Sequence, residues 1–191
     1  MTNISFPVFH QGKTLSCQVF KLEICRSSGE DLIDPEFEAS IYDLYTVESI
    51  YNAYKFALTS FYSDAHKFKL TLSPESLSIL KNTGGKIRGE SLSLPIVLGL
   101  FYCFINKPWP GKWMATGAIQ LNKNKFMCGP VGGIVPKIEK CLDLGFTDIY
   151  LPAMNMHEVD RSKYKSISFH PISCDLKEFS KPINIKKNYI L

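Results

Sequence analysis

The chain has 191 residues and a formal net charge of +4, enough length for one domain with a sizeable core. That charge permits nucleic-acid contact without arguing for it. Hydrophobic residues make up 45% and aromatic residues 13%, which excludes an intrinsically disordered polymer. No apolar run reaches membrane-spanning length, and Met1 to His10 has neither a charged leader nor an apolar h-region. No membrane partner and a cytoplasmic location are therefore expected. The six cysteines, at 17, 25, 103, 128, 141 and 174, have no CxxC spacing and mostly apolar surroundings. They are expected to be reduced and buried, neither staples nor metal ligands. The four histidines, at 10, 66, 157 and 170, show no ligand spacing, so neither a metal nor a cofactor is expected.

Ser5 to Phe9 and Leu15 to Ile24 read as strands. In the second, Val19, Lys21 and Glu23 alternate with Phe20, Leu22 and Ile24, the period of a half-buried strand. Gln11-Gly12-Lys13-Thr14 resembles the end of a phosphate-binding loop, but Pro7 stands where that motif needs glycine, so a hairpin turn is expected. Ser27 to Pro35 is a polar turn region. Phe37, Ala39, Ile41 and Leu44 then suit a further strand or the approach to a helix. From Thr46, a possible cap, a helical pattern runs to about Phe61, with Val47, Ile50, Tyr51, Tyr54, Phe56, Leu58 and Phe61 as a broad apolar face. Lys67 to Leu72 alternates and reads as a strand, and Ser73 to Arg88 as a loop.

The stretch Gly89–Pro152 carries the chemistry. Gly89-Glu90-Ser91 is a small-residue turn feeding an apolar run from Leu92 to Ile105. A serine presented just before a buried helix can serve as a hydroxyl nucleophile, with the helix amides near a developing oxyanion. It can equally be an ordinary first-turn or N-cap serine. A segment broken by Pro108 and Pro110 leads to Ala115-Thr116-Gly117 and a strand-like Ile119-Gln120-Leu121. The turn Asn122 to Lys125 sends the chain back to Gly132-Gly133. A Lys-rich helical pattern over Pro136–Leu144 and a short strand ending at Pro152 follow.

This stretch resembles the proteolytic domain of the Lon protease family, whose pattern is a G-P-S-A-G nucleophile turn, a downstream M-T-G-E, and I-G-G-L-K-E-K. Gly89-Glu90-Ser91-Leu92-Ser93, Ala115-Thr116-Gly117-Ala118 and Val131-Gly132-Gly133-Ile134-Val135-Pro136-Lys137 stand in that order. The spacing through Gly145-Phe146-Thr147-Asp148 to Leu151-Pro152 also fits. The resemblance is specific from about residue 68 to 152. It implies one α/β (α+β) domain over 1–191, with a small mixed sheet packed with helices on the Gly89–Ile105 and Pro136–Leu144 segments. It also implies a cleft bordered by Lys81, Lys86 and Arg88. With no phosphate-binding loop, the chain is expected to lack the ATPase module of full-length Lon proteases.

The departures shape the functional expectation. The family uses a serine–lysine dyad, and its lysine is matched here to Val135; the Asp before the serine becomes Arg88 and the Glu of T-G-E becomes Ala118. Ser91 remains as candidate nucleophile and Thr116 as the residue supporting the dyad. Lys137 is two helical residues from Val135, rotated by roughly 200°, and is therefore expected to point elsewhere. The leading expectation is a pseudo-protease that acts in binding, assembly or regulation. The alternatives are an active serine endopeptidase with Lys137, Lys86 or Lys112 as a non-standard base, and a nucleic-acid-associated Lon-like module. A polypeptide or protein partner, a separate ATPase and self-association into an oligomer are family-based expectations. After Pro152, a turn over Ala153–His157, a last strand over Ile167–Ile172 and a short helix over Asp175–Phe179 are expected, with Lys181–Leu191 as a basic tail.

Overall fold

The computed structural model describes residues 2–11, 15–27, 32–33, 42–61, 67–83 and 86–176. Its frame is a seven-stranded mixed sheet of order β3-β4-β2-β1-β5-β8-β9. Strands β1 (Thr2–Gln11) and β2 (Leu15–Ser27) form a long antiparallel hairpin with Phe6 opposite Phe20. Strand β4 (Lys67–Leu72) pairs antiparallel to β2, and the short β3 (Leu32–Ile33) runs parallel to β4 at the edge. On the other side of β1, strands β5 (Trp113–Ala115), β8 (Asp148–Pro152) and β9 (Ser168–Ile172) add in parallel. Strands β6 (Ala118–Asn122) and β7 (Lys125–Gly129) form a separate antiparallel hairpin.

Side-chain alternation assigns each face of the sheet its own helices. Ile4, Phe6 and Val8 of β1, Phe20, Leu22 and Ile24 of β2, and Ala115 and Tyr150 join the larger core with α1 (Leu44–Phe61) and α3 (Ser93–Phe104). Their neighbours Met114, Ile149 and Leu151 point the opposite way, into a smaller core with Ile134, Ile138 and Cys141 of α4 (Ile134–Asp143). Helix α3 is apolar all round, and its first nine residues are buried, as a central helix must be. Gly99 lets it lie against the hairpin, since a Cβ there would come 2.4 Å from Ile24 Cδ1.

The strands over Lys67–Leu72, Ile119–Leu121 and Ile167–Ile172, the 122–125 turn and the helix after Ser91 fall where expected. Three readings need correction. The segment 73–88 is not all loop: α2 spans Pro74–Thr83. Ser73 is its cap, accepting from the Ser76 amide at 3.3 Å, and Pro74 occupies the first helical position, where no N–H is needed. Helix α1 is capped by Asp43 rather than Thr46, with Asp43 Oδ1 accepting from the Thr46 amide at 2.8 Å. Tyr51 faces out, and Ala53 and Ala57 fill the buried stripe. No disulfide joins the cysteines among the described residues, but only Cys128 and Cys141 are fully buried. The readings on 28–31, 34–41, the Asp175–Phe179 helix beyond 176 and the tail lie outside the described residues. Among the described residues no helix is long and apolar enough to cross a membrane.

Candidate active site

The serine turn is held from three sides. Glu90–Leu92 form a single 3-10 turn that runs directly into α3. From α1, Thr46 Oγ1 donates to the Gly89 carbonyl at 3.0 Å and Ser49 Oγ to the Glu90 carbonyl at 3.0 Å. From the β6 side, the Gly117 amide donates to the Ser91 carbonyl at 3.1 Å, and the Leu94 amide to the Gly117 carbonyl at 3.0 Å. Ser93 closes the contact: its hydroxyl donates to the Glu90 carbonyl at 2.7 Å and accepts from the Ile119 amide at 2.6 Å. Gly117 is needed for this approach, because a Cβ would lie 2.7 Å from Leu94 Cδ2 and 2.9 Å from Leu94 Cβ. Ser91 is buried against this frame, with 8% of its surface exposed.

Thr116 follows β5 directly, at the carboxyl end of the parallel strands, and its amide donates to the Tyr150 carbonyl at 3.0 Å. Its side chain is buried and accepts a hydrogen bond from Lys137 Nζ at 3.1 Å. The Gly117 amide bond therefore sets the Ser91 peptide one residue from the threonine that holds a buried lysine.

The lysine gets there by the geometry of α4. Gly133, left-handed at φ 69°, turns the chain into the helix, and the Lys137 amide donates to the Gly133 carbonyl at 3.2 Å. Glycine adopts that conformation with no Cβ penalty. Pro136 is tolerated because it lies in the first turn, where amides have no intrahelical acceptor. Ile134, Lys137, Ile138 and Cys141 are the buried residues, at the spacing of one helical stripe. Lys137 is only 3% exposed, whereas Val135 is 37% exposed. The expected placing of these two residues is thus reversed. They do lie on opposite sides of the helix, as a rotation of about 200° requires, but the valine faces water and the lysine faces the core. Lys86, Arg88 and Lys112, the other cations considered, are exposed.

Burial is the main force on the Lys137 amine, because an ammonium loses hydration that the core does not replace. It pushes the pKa from 10.5 down to about 8, against the opposing charges of Cys17, Cys141 and Glu158. Burial also pushes both thiols above their usual 9.0. Such an amine is half neutral at about pH 8 and can accept a proton.

No protein-family model matches the chain, and no curated protein matches its sequence. Any chemistry assigned to this site therefore rests on its own geometry.

Two of the residues that build it have no role of their own in the motifs. Ser93 is a plain serine in an apolar run, and its role depends on the docking of Ile119. Asn155 lies in the 3-10 turn Ala153–Glu158 and is buried against Val131. For Lys137 a signal existed: Ile134, Ile138 and Cys141 mark an apolar stripe at i, i+4 and i+7, and Lys137 lies on it. Among the described residues no group of three or more His, Cys, Asp or Glu is arranged to hold a metal ion.

Proposed function

We propose that the chain is a serine–lysine hydrolase of the Lon proteolytic type, acting on a polypeptide, with Ser91 as nucleophile and Lys137 as general base. One observation carries the reading: a lysine buried in the core, its amine bonded to Thr116 and its pKa down at about 8. Burying a lysine is costly, and a structural role is served as well by an apolar residue. Thr116 then orients the amine, consistent with its matched position in the family motif. The case for a lost dyad depended on a valine in the lysine's place, and Val135 lies on the outer side of α4.

In this reading the neutral Lys137 amine takes the Ser91 Oγ proton as Oγ attacks the substrate carbonyl carbon. The resulting ammonium returns the proton to the leaving amine, and the C–N bond breaks to an acyl-serine. Water then attacks the ester, giving its proton to Lys137, and the serine is regenerated as the carboxylic product leaves.

The test is labelling by a serine-directed fluorophosphonate, located by peptide mass spectrometry, alongside cleavage of unfolded casein. Labelling at Ser91 is expected in the unmodified protein and is expected to be lost in Ser91→Ala and Lys137→Met. Labelling at Ser91 that persists unchanged in Lys137→Met would refute the assignment of the base. An unlabelled Ser91 at pH 9 in the unmodified protein would return the chain to the pseudo-protease reading.

A further inference from the structure

Asn155 is 1% exposed, and its amide side chain is spent on one peptide unit and one carboxylate. Its Oδ1 accepts from the Val131 amide at 3.0 Å, and its Nδ2 donates to the Val131 carbonyl at 2.9 Å and to Glu158 Oε1. The orientation of the amide is fixed by these partners, because a backbone N–H can only donate and a carbonyl can only accept. Val131 immediately precedes Gly132-Gly133, the turn that launches α4. Two adjacent glycines give that turn little stiffness of its own. The Val131 clamp fixes where the helix begins and hence the depth at which Lys137, one turn later, reaches Thr116. The same amide holds the Glu158 carboxylate, whose charge acts on the Lys137 amine from outside the core. Cys17 on β2 and Cys141 on α4 face the amine as well, and burial raises the pKa of both thiols.

We propose that Asn155 and Glu158 are a positioning pair for Lys137: Asn155 fixes the Val131 peptide and the launch of α4, and the carboxylate it holds sets the charge facing the amine. The pair touches no reacting atom and acts through the lysine. This rests on the Ser91–Lys137 reading for its meaning in catalysis, but its structural content can be tested without any activity.

The measurement is the protonation midpoint of Lys137 in the full chain, followed through the 13Cε shift of labelled lysine and assigned by the resonance lost in Lys137→Met. The value in the unmodified protein should lie near 8. Asn155→Ala is expected to raise it by about one pH unit toward that of a solvated lysine, as the loosened helix start admits water to the amine. Ile172→Ala, a buried change elsewhere in the larger core, should lower stability and leave the midpoint in place. A folded Asn155→Ala with an unchanged midpoint overturns the proposal, as does an equal rise in Ile172→Ala, which would reduce the effect to lost stability. Glu158→Gln is a surface change that should not disturb folding. It is expected to lower the midpoint by a few tenths of a pH unit, since an exposed carboxylate is strongly screened. No shift, or a rise, would overturn the pair even if Asn155→Ala fails to fold. The two readings fail separately: an unlabelled Ser91 removes the catalytic meaning, and the midpoint still decides whether Asn155 and Glu158 control the amine.

Discussion

Replacing Lys137 by methionine tests the reasoning at its most exposed point, because it should stabilise the protein while removing its reactivity. The folded-state pKa of Lys137 is depressed from 10.5 to about 8. Below pH 8 both folded and unfolded chains carry the protonated lysine, and the folded state bears the full burial penalty. Between pH 8 and 10.5 the unfolded chain binds more protons, so this group makes stability rise with pH across that window. At 1.36 kcal/mol per pKa unit, the penalty at pH 7 is on the order of 3 kcal/mol. Methionine has a similar length and no charge, but it leaves the Thr116 hydroxyl without its donor, at a cost of about 1 kcal/mol. The net expectation is a gain of roughly 1–2 kcal/mol at pH 7, a rise in Tm of a few degrees for a chain of this size. The assay is urea denaturation of both proteins at pH 7 and pH 10. The gap between them should shrink as pH rises, because the unmodified protein loses its penalty and the variant never had one. Ser91 labelling by a fluorophosphonate, read across the same pH range, should climb through pH 8 in the unmodified protein and stay flat and low in the variant. A normal lysine would be about 0.3% neutral at pH 8, against about half for an amine with this pKa. A Lys137→Met protein that is less stable by over 1 kcal/mol at both pH values would refute the view that burial strains this lysine.

Further outcomes follow from the same geometry. Val135→Lys should leave Ser91 labelling unchanged, since position 135 faces solvent; a gain in labelling would mean that the outer side of α4 reaches the site after all. Gly117→Ala should cost about 1–3 kcal/mol in denaturation, because its Cβ would meet Leu94 Cβ as well as Cδ2. Gly99→Ala, which meets the flexible end of Ile24, should cost less; the reverse order would show the turn to be looser than drawn. Ser93→Ala leaves the Ile119 amide without its acceptor in a fully buried place and should destabilise by about 1–3 kcal/mol. It should also slow Ser91 labelling, and normal stability and labelling together would count against the serine turn being held there.

Local pattern was enough for much of this fold. The alternation of Phe20, Leu22 and Ile24 with charged neighbours determined which side of β2 is buried. The unbroken apolar run after Ser91 determined a central helix, and the polar turn at 122–125 a hairpin. These follow from periods of two and 3.6 residues, which the chain displays without reference to any distant partner. The helix at Pro74–Thr83 carried a signal too, a serine followed by proline, inside the segment expected as loop. Motif order brought Ser91, Thr116 and the Gly132-Gly133 turn into one argument, and it could not say which residue of α4 points inward. The apolar stripe of the helix carried that information, and packing enforces it. Ile134, Ile138 and Cys141 bury against Met114, Ile149 and Leu151, and the lysine on their stripe is carried in with them, although its own solvation opposes it. Asn155 depended still more on tertiary structure: nothing in Met154-Asn155-Met156 reveals that β8 delivers this amide to the Val131 peptide, 24 residues back along the chain. A helix's register can be read from its own residues, but a buried polar contact exists only once two distant segments have closed on each other.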